Sequence, residues 1–200
     1  NLDERIARAG RRFAAYGRPL TFRMSPLAAP RISAHLDAHG WDRFSESLVM
    51  RTPLEAGMVR DALDQIPLKD MGRFINAAIA IRSLDPALRP GLSEVINAIQ
   101  PAAGLFVLEQ DETPVSTAIC VHDGDLAGLF EVATEASQRG KGYGRRTLLS
   151  ALKWARARGA RQAWLQVEAD NETAIGLYRS MGFEEVYRYH YRQPPRQDAR

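Results

Sequence analysis

Three glycines at alternating positions, Gly140, Gly142 and Gly144, stand among Arg139, Lys141, Arg145 and Arg146, just after an apolar stretch that ends at Thr134. Glycine admits a positive φ and lets a ligand approach the backbone without a Cβ in the way. A turn of this kind that opens a helix aims several main-chain N–H groups at one point, and the helix dipole favours negative charge there. These residues suit the gripping of an anion, and the flanking cations point to a pyrophosphate. The spacing excludes two common phosphate binders. A Walker-type loop needs Gly-Lys-Ser/Thr after a four-residue gap, whereas Gly142 and Gly144 are followed by Tyr143 and Arg145. The dinucleotide fingerprint Gly-x-Gly-x-x-Gly, started at Gly140, meets Arg145 in its last position.

Neighbouring segments must hold such a turn in place, and their patterns are readable. Residues 126–134 read as a strand leading into it. Residues 145–158 carry Leu148, Leu149, Leu152 and Ala155 at the spacing of one buried helical face. Gly159 stands where a helix stop belongs. Residues 161–168 alternate, with Ala163, Leu165 and Val167 on one side and Trp164, Gln166 and Glu168 on the other, the period of a strand. Asp170 and Asn171 are N-cap types for a short helix carrying Ala174, Ile175, Leu177, Tyr178 and Met181. Gly182 ends that helix, and residues 183–191 read as a last strand rich in aromatics.

Within this order, Arg139-Gly-Lys-Gly142-Tyr-Gly144 resembles the Arg/Gln-x-x-Gly-x-Gly/Ala signature of the GNAT superfamily of acyl-CoA-dependent N-acyltransferases. Asn171-Glu-Thr-Ala-Ile-Gly-Leu-Tyr178-Arg-Ser-Met-Gly182-Phe183 is similar to its second signature, Asn-x-x-Ala-x-x-Leu-Tyr-x-x-x-Gly-Phe. The likeness covers roughly the last two-thirds of the chain. It implies the α/β acyl-CoA N-acyltransferase fold, with a mixed, mostly antiparallel central sheet flanked by helices. It also implies transfer of an acetyl group from acetyl-CoA to an amine by direct attack, with no covalent enzyme intermediate. Two other readings are a non-catalytic acyl-CoA-binding or sensor module, and a scaffold that presents a surface to a partner.

The resemblance distributes the cofactor site over three segments. Main-chain groups of Val132, Ala133 and Thr134 hold the pantetheine arm, and the Val132 N–H polarises the acetyl carbonyl. The parallel strand holding residues 166–168 splays away to open a slot for that arm. Gln138, Arg139, Gly140, Lys141, Gly142, Tyr143, Gly144 and Arg145 wrap the pyrophosphate, with Arg145 or Arg146 reaching the outer phosphates. Asn171 contacts the arm or orders the loop around it, and Ala174 joins it in the cofactor set.

Tyr178 is the candidate general acid, since a phenol with an unperturbed pKa of about 10 matches a departing thiolate of comparable basicity. Its other reading is a core side chain beside Phe183. Glu131 is the candidate general base, acting directly or through water, at a position where some family members carry a carboxylate. Its other reading is a solvated strand glutamate, and Glu168 is a second candidate. Cys120, in the apolar run 115–121, reads as a small core residue rather than a nucleophile.

Composition narrows the remaining classes. Two hundred residues, 45% of them hydrophobic, suit one large or two small domains. A single cysteine rules out a disulfide framework and suits a reducing cytoplasm, the expected location. No stretch approaches the about 18 apolar residues of a membrane span, and no secretory signal opens the chain. The chain starts at Asn1 rather than Met, which leaves open whether residues precede it. A net charge of +3 is mildly basic, and without a clustered basic face interleaved with aromatics no nucleic-acid partner is expected. His35 and His39 are four apart on a helical stretch, but no third ligand is apparent, and neither His122 nor His190 has zinc-type spacing. No metal is therefore expected. The expected partner is a small-molecule or peptide amine, with a homodimer left open.

The first fifty residues echo the last fifty. Residues 5–16 read as a helix closed by Gly17, followed by an alternating stretch 20–24, a helix 30–39, Gly40 and a strand 44–50. Gly17 and Gly159, and likewise Gly40 and Gly182, are 142 positions apart. At that offset Asn171 corresponds to Ala29 and Tyr178 to Leu36, and no glycine cradle precedes the first copy. The expected division is a degenerate acyltransferase-like unit over 1–55, a catalytic domain over 56–193 and a polar tail over 194–200. Residues 52–70 read as the linker and entry to the second unit, 74–83 as a helix, 86–91 as a break, and 92–99 as a helix or a loop lining the acceptor pocket. Residues 104–110 and 115–121 read as a hairpin, and a second turn at 122–125 leads into strand 126–134.

Overall fold

A computed structural model describes residues 1–195 of the chain, so the end of the expected tail, 196–200, lies outside the described residues. The contacts divide the described residues into two compact units, Asn1–Val49 with Val167–Ile175 and 185–195, and Met50–Gln166 with Gly176–Glu184. The strands follow the hydrogen-bonded order β1-β7-β2-β6-β5-β4-β3. The sheet is mostly antiparallel, β5–β6 being a parallel pair. The fold class is the mixed α/β one that the motifs imply.

The first unit holds helix α1 (Leu2–Ala15), strand β1 (Phe22–Met24), helix α2 (Pro30–Ala38) and most of strand β2 (Asp42–Pro53). Asn1 caps α1 by accepting a hydrogen bond from the Asp3 N–H at 3.0 Å. Strand β7 (Glu184–Gln193) pairs antiparallel with β1, setting Phe22 against Arg192 and Met24 against His190. Leu36 of α2 is fully buried, whereas α1 contributes no buried residue.

The second unit holds helices α3 (Met71–Arg82) and α4 (Arg89–Asn97), then strands β3 (Ala102–Gln110), β4 (Thr113–Asp123) and β5 (Leu126–Thr134). Helix α5 (Tyr143–Ala157) returns the chain to strand β6 (Gln162–Glu168), which leads to helix α6 (Glu172–Ser180). The β3–β4 hairpin turns on Asp111 and Glu112, both at positive φ, as a tight turn between right-twisted strands requires. Successive strand side chains alternate between the two faces. Leu105, Val107 and Ile119 form a core with Phe74, Ile75, Ala77 and Ala78 of α3. Phe106, by contrast, meets Trp154 of α5 edge-on at 6.0 Å. Leu148, Ala151, Leu152 and Ala155 form the fully buried stripe of α5.

Two expectations need correction. Segment 52–70 is packed rather than a bare linker. Thr52 lies on β2 and is buried, Leu54 and Val59 are buried, the Leu54 N–H donates to the Arg161 carbonyl at 2.7 Å, and Leu68 bridges Leu105. Of the two readings of 92–99 the helix holds, since these residues fall in α4 and its end. The expected break at 86–91 is a helix start, with a short 3-10 turn at Pro86–Leu88 and Pro90 in the first turn of α4, where its missing N–H is harmless.

Candidate active site

The cradle lies between β5 and α5. Beyond β5 the Glu135 N–H donates to the Val115 carbonyl at 3.0 Å, and a single 3-10 turn covers Ala136–Gln138. Gly140 and Gly142 then take φ values of 76° and 81°. The first helical bond of α5 runs from the Arg146 N–H to the Gly142 carbonyl at 3.0 Å, and no side chain caps the helix. The N–H groups of its first turn therefore precede the helical ladder. A Cβ added at Gly140 or Gly142 would meet nothing within 4 Å, so both face open space. Gly144 is glycine for a different reason from the one expected. It is helical and buried, and a Cβ there would come within 2.8 Å of Thr134 Oγ1. Only glycine lets α5 approach the end of β5 this closely.

The cations around this turn are already oriented. Arg139 Nε lies 3.4 Å from the Thr134 carbonyl, and Lys141 Nζ donates to Gln138 Oε1 at 2.9 Å. Arg145 reaches the end of α6, donating to Ser180 Oγ at 3.1 Å, while the Arg146 guanidinium stands 5.7 Å from the centre of the Tyr143 ring.

Strand β5 carries a bulge where the reaction is expected. Ile119 pairs with Phe130 and Thr117 with Ala133, so β5 has one residue more than β4 over this interval. Glu131 absorbs the extra residue at a φ of 48°, rare for a side chain with a Cβ. Buried hydroxyls of β4 hold the distortion. Thr117 Oγ1 donates to the Glu131 carbonyl at 3.2 Å, and Ser116 Oγ donates to the Ala133 carbonyl at 2.9 Å. On its other edge β5 pairs with β6 only from Leu126 to Leu129, so Phe130–Thr134 run beyond that ladder, as the expected slot requires.

The bulge re-aims side chains. Phe130 and Glu131 are sequence neighbours that alternation would send to opposite faces. Both line one cavity of about 310 Å³, together with Phe74 and Ala78 of α3, Leu92 and Ile96 of α4, and Val121 of β4. Glu131 is the only charged residue of the lining, and it forms an ion pair with Arg82 at the end of α3. Sequence reasoning missed Arg82, Ser116 and Thr117. Arg82 lies 49 positions from Glu131, and the two hydroxyls sit in an apolar run that reads as strand core.

Tyr178 is 5% exposed beside Phe183, with ring centroids 5.9 Å apart, and burial pushes its phenol up to about 12. Asn171 acts within its own helix, its Oδ1 accepting from the Ala174 N–H at 3.1 Å. Glu168 is exposed on β6. Cys120 is fully buried and its thiol is also pushed up to about 12 by burial, the core role expected of it.

Comparisons with known proteins agree with this architecture. Residues 77–183 match the acetyltransferase (GNAT) family, more than half of the chain. An uncharacterized N-acetyltransferase of Bacillus subtilis is 28% identical over 120 residues, 60% of this chain and 48% of that protein. The [ribosomal protein bS18]-alanine N-acetyltransferase of Escherichia coli is 36% identical over 81 residues, 40% of this chain and 55% of that one. The chain thus spans about half the length of these curated relatives. In structure it resembles a tandem GNAT protein from the clavulanic acid biosynthesis pathway, with a TM-score of 0.70 at 14% identity, over 96% of this chain and 69% of that one. With the glycine cradle, the bulged strand and the family match in place, the chain belongs to the GNAT family of acetyltransferases.

Proposed function

We propose that the protein moves an acetyl group from acetyl-CoA to an amine by direct attack. The open cradle carries this reading, because a side chain at Gly140 or Gly142 would fill the space that a diphosphate needs. The donor supplies an activated thioester. The first-turn N–H groups of α5 and the backbone of Gly140–Gly142 hold its diphosphate, framed by Gln138, Arg139, Lys141, Tyr143 and Arg145. The free edge of β5 at Val132, Ala133 and Thr134 holds the pantetheine arm, and the Val132 N–H polarises the carbonyl. For Asn171 and Ala174 the family resemblance alone carries the cofactor role.

Glu131 takes the proton of the incoming amine, directly or through water, and Arg82 fixes the position of its carboxylate. Tyr178 gives a proton to the departing thiolate, its raised pKa keeping the phenol in the acid form throughout the physiological range. The body of the acceptor enters the cavity beside Glu131, where apolar walls favour an amine without a second charge. The Escherichia coli relative is named for the alanine of a ribosomal protein, so peptide amino termini join small amines in the acceptor class. The N-terminal run belongs to the same proposal as a degenerate acyltransferase-like unit without its own cradle.

One observation favours a second reading. The burial of Tyr178 against Phe183 suits a structural role, and with it a non-catalytic acyl-CoA sensor. Thiol release from acetyl-CoA over a panel of small amines and an alanine-terminated peptide, with coenzyme A binding measured in parallel, separates the two. Turnover supports transfer, tight binding without turnover supports the sensor, and absence of binding overturns both.

A further inference from the structure

We propose that Asp3, His35 and His39 bind a zinc-class divalent ion that links α1 to α2. His35 of α2 and His39, the C-cap residue just beyond it, are four apart, and their ring centroids lie 4.2 Å apart. Asp3, in the first turn of α1, brings its Oδ1 within 3.0 Å of His35 Nε2. One donor atom from each residue lies within 4.8 Å of the other two. A tetrahedral zinc ion with bonds of about 2.0–2.1 Å needs donors roughly 3.4 Å apart, so modest side-chain rotations close the site.

The hydrogen bonding prepares His39 for this role. Its Nδ1 lies 2.8 Å from the His35 carbonyl. A carbonyl only accepts, so Nδ1 carries the proton in this hydrogen bond and Nε2 is the ring atom left for a metal. A backbone carbonyl on the second ring nitrogen is the usual way to orient a metal-binding imidazole. The ion takes the place of the hydrogen bond between His35 and Asp3 and binds His35 through Nε2, the ring keeping a proton on Nδ1 in the bound form. Two imidazoles and one carboxylate suit zinc rather than magnesium, and water fills the fourth position.

A separate observation gives the link a purpose. No residue of α1 is fully buried and only Leu2, Ile6, Ala9 and Gly10 are half-buried, so a polar tie such as Asp3–His35 adds to a thin apolar anchoring. Nothing in the proposed acetyl transfer uses these three residues. The matched positions of the C-terminal run, 142 residues on, are Arg145, Leu177 and Met181, a set that offers neither imidazole nor carboxylate. The site therefore belongs to the N-terminal run alone.

Isothermal titration of the metal-stripped protein with zinc chloride, with magnesium chloride as control, tests the proposal. The expected result is one zinc ion per chain in the low micromolar range, no magnesium binding, and slower amide exchange in α1 when zinc is present. His39→Ala and Asp3→Asn should each weaken zinc binding by roughly tenfold or more, leaving the circular dichroism and coenzyme A affinity unchanged. Zinc affinity that survives both substitutions, or no zinc binding in that range, overturns the proposal.

Discussion

Helices α2 and α6 have the same length, lie 142 residues apart, and end at Gly40 and Gly182 with φ values of 65° and 84°. Helices α1 and α5 stop the same way, at Gly17 and Gly159 with φ values of 64° and 108°. Even a tie repeats. Asp3 in the first turn of α1 reaches His35 of α2, and Arg145, its counterpart on α5, reaches Ser180 of α6. What differs is everything a ligand would touch. The C-terminal run opens on the glycine cradle, caps α6 with Asn171 and places Tyr178 in the core, where the N-terminal run has Ala29 and Leu36. Matched stop signals and helix lengths thus stand beside different side chains, Asn171 against Ala29 and Tyr178 against Leu36.

The sharpest break should come from burial. Leu148 and Ile6 occupy matched positions, but Leu148 is fully buried on α5 and α1 has no buried residue. Leu148→Ala should cost about 2–5 kcal/mol in denaturant unfolding, and Ile6→Ala less than about 1 kcal/mol. Similar losses would mean that α1 is anchored as α5 is.

Function should divide the runs next. Tyr178→Phe should lower turnover by about 100-fold or more and leave coenzyme A affinity nearly unchanged in a parallel titration. Equal loss in both would return Tyr178 to a packing role. Its burial also fixes a pH dependence shared with Cys120. Above their usual pKa values the unfolded chain sheds protons that these folded groups, both at about 12, retain. That share of stability is present below the usual values and is lost as pH rises toward 12. Urea midpoints should therefore fall at alkaline pH, and less steeply in Tyr178→Phe.

The stop glycines should respond alike. Gly40→Ala and Gly182→Ala each force a Cβ into the left-handed region, at about 1–2 kcal/mol. The two costs should be close, because the new Cβ meets open space at Gly40 and only an ordinary contact with Thr52 Oγ1, at 3.4 Å, at Gly182. The smallest effect is a gain. Ala29 already has N-cap dihedrals, φ −59° and ψ 133°, but no side-chain bond. Ala29→Asn should install the cap that Asn171 provides and raise stability by roughly 0.5–1 kcal/mol, visible as a higher melting temperature.

Much of this was legible because its signals are local. The alternation in 161–168, the face Leu148–Leu152–Ala155 and the Asn171 cap each depend on neighbours a few residues away, and strand and helix appear there. The cradle was readable as a turn that only glycines allow, although Gly144 serves packing rather than φ. What stayed hidden depends on distant partners. Neither the bulge at Glu131 nor its pairing with Arg82 has a local signature, since each is set by register and by a helix 49 positions away. The missing third partner of His35 and His39 was hidden the same way, Asp3 being distant in sequence and near only once α1 lies on α2.

The central claim, that the turn between β5 and α5 grips the diphosphate of acetyl-CoA, is tested most directly by calorimetric titration of coenzyme A into the wild-type protein and Gly142→Val. The account predicts a single site in the wild type and no detectable binding in a variant that stays folded, because the new side chain would enter the open space of the cradle. Equal affinity in the two proteins, or none in the wild type, would contradict it.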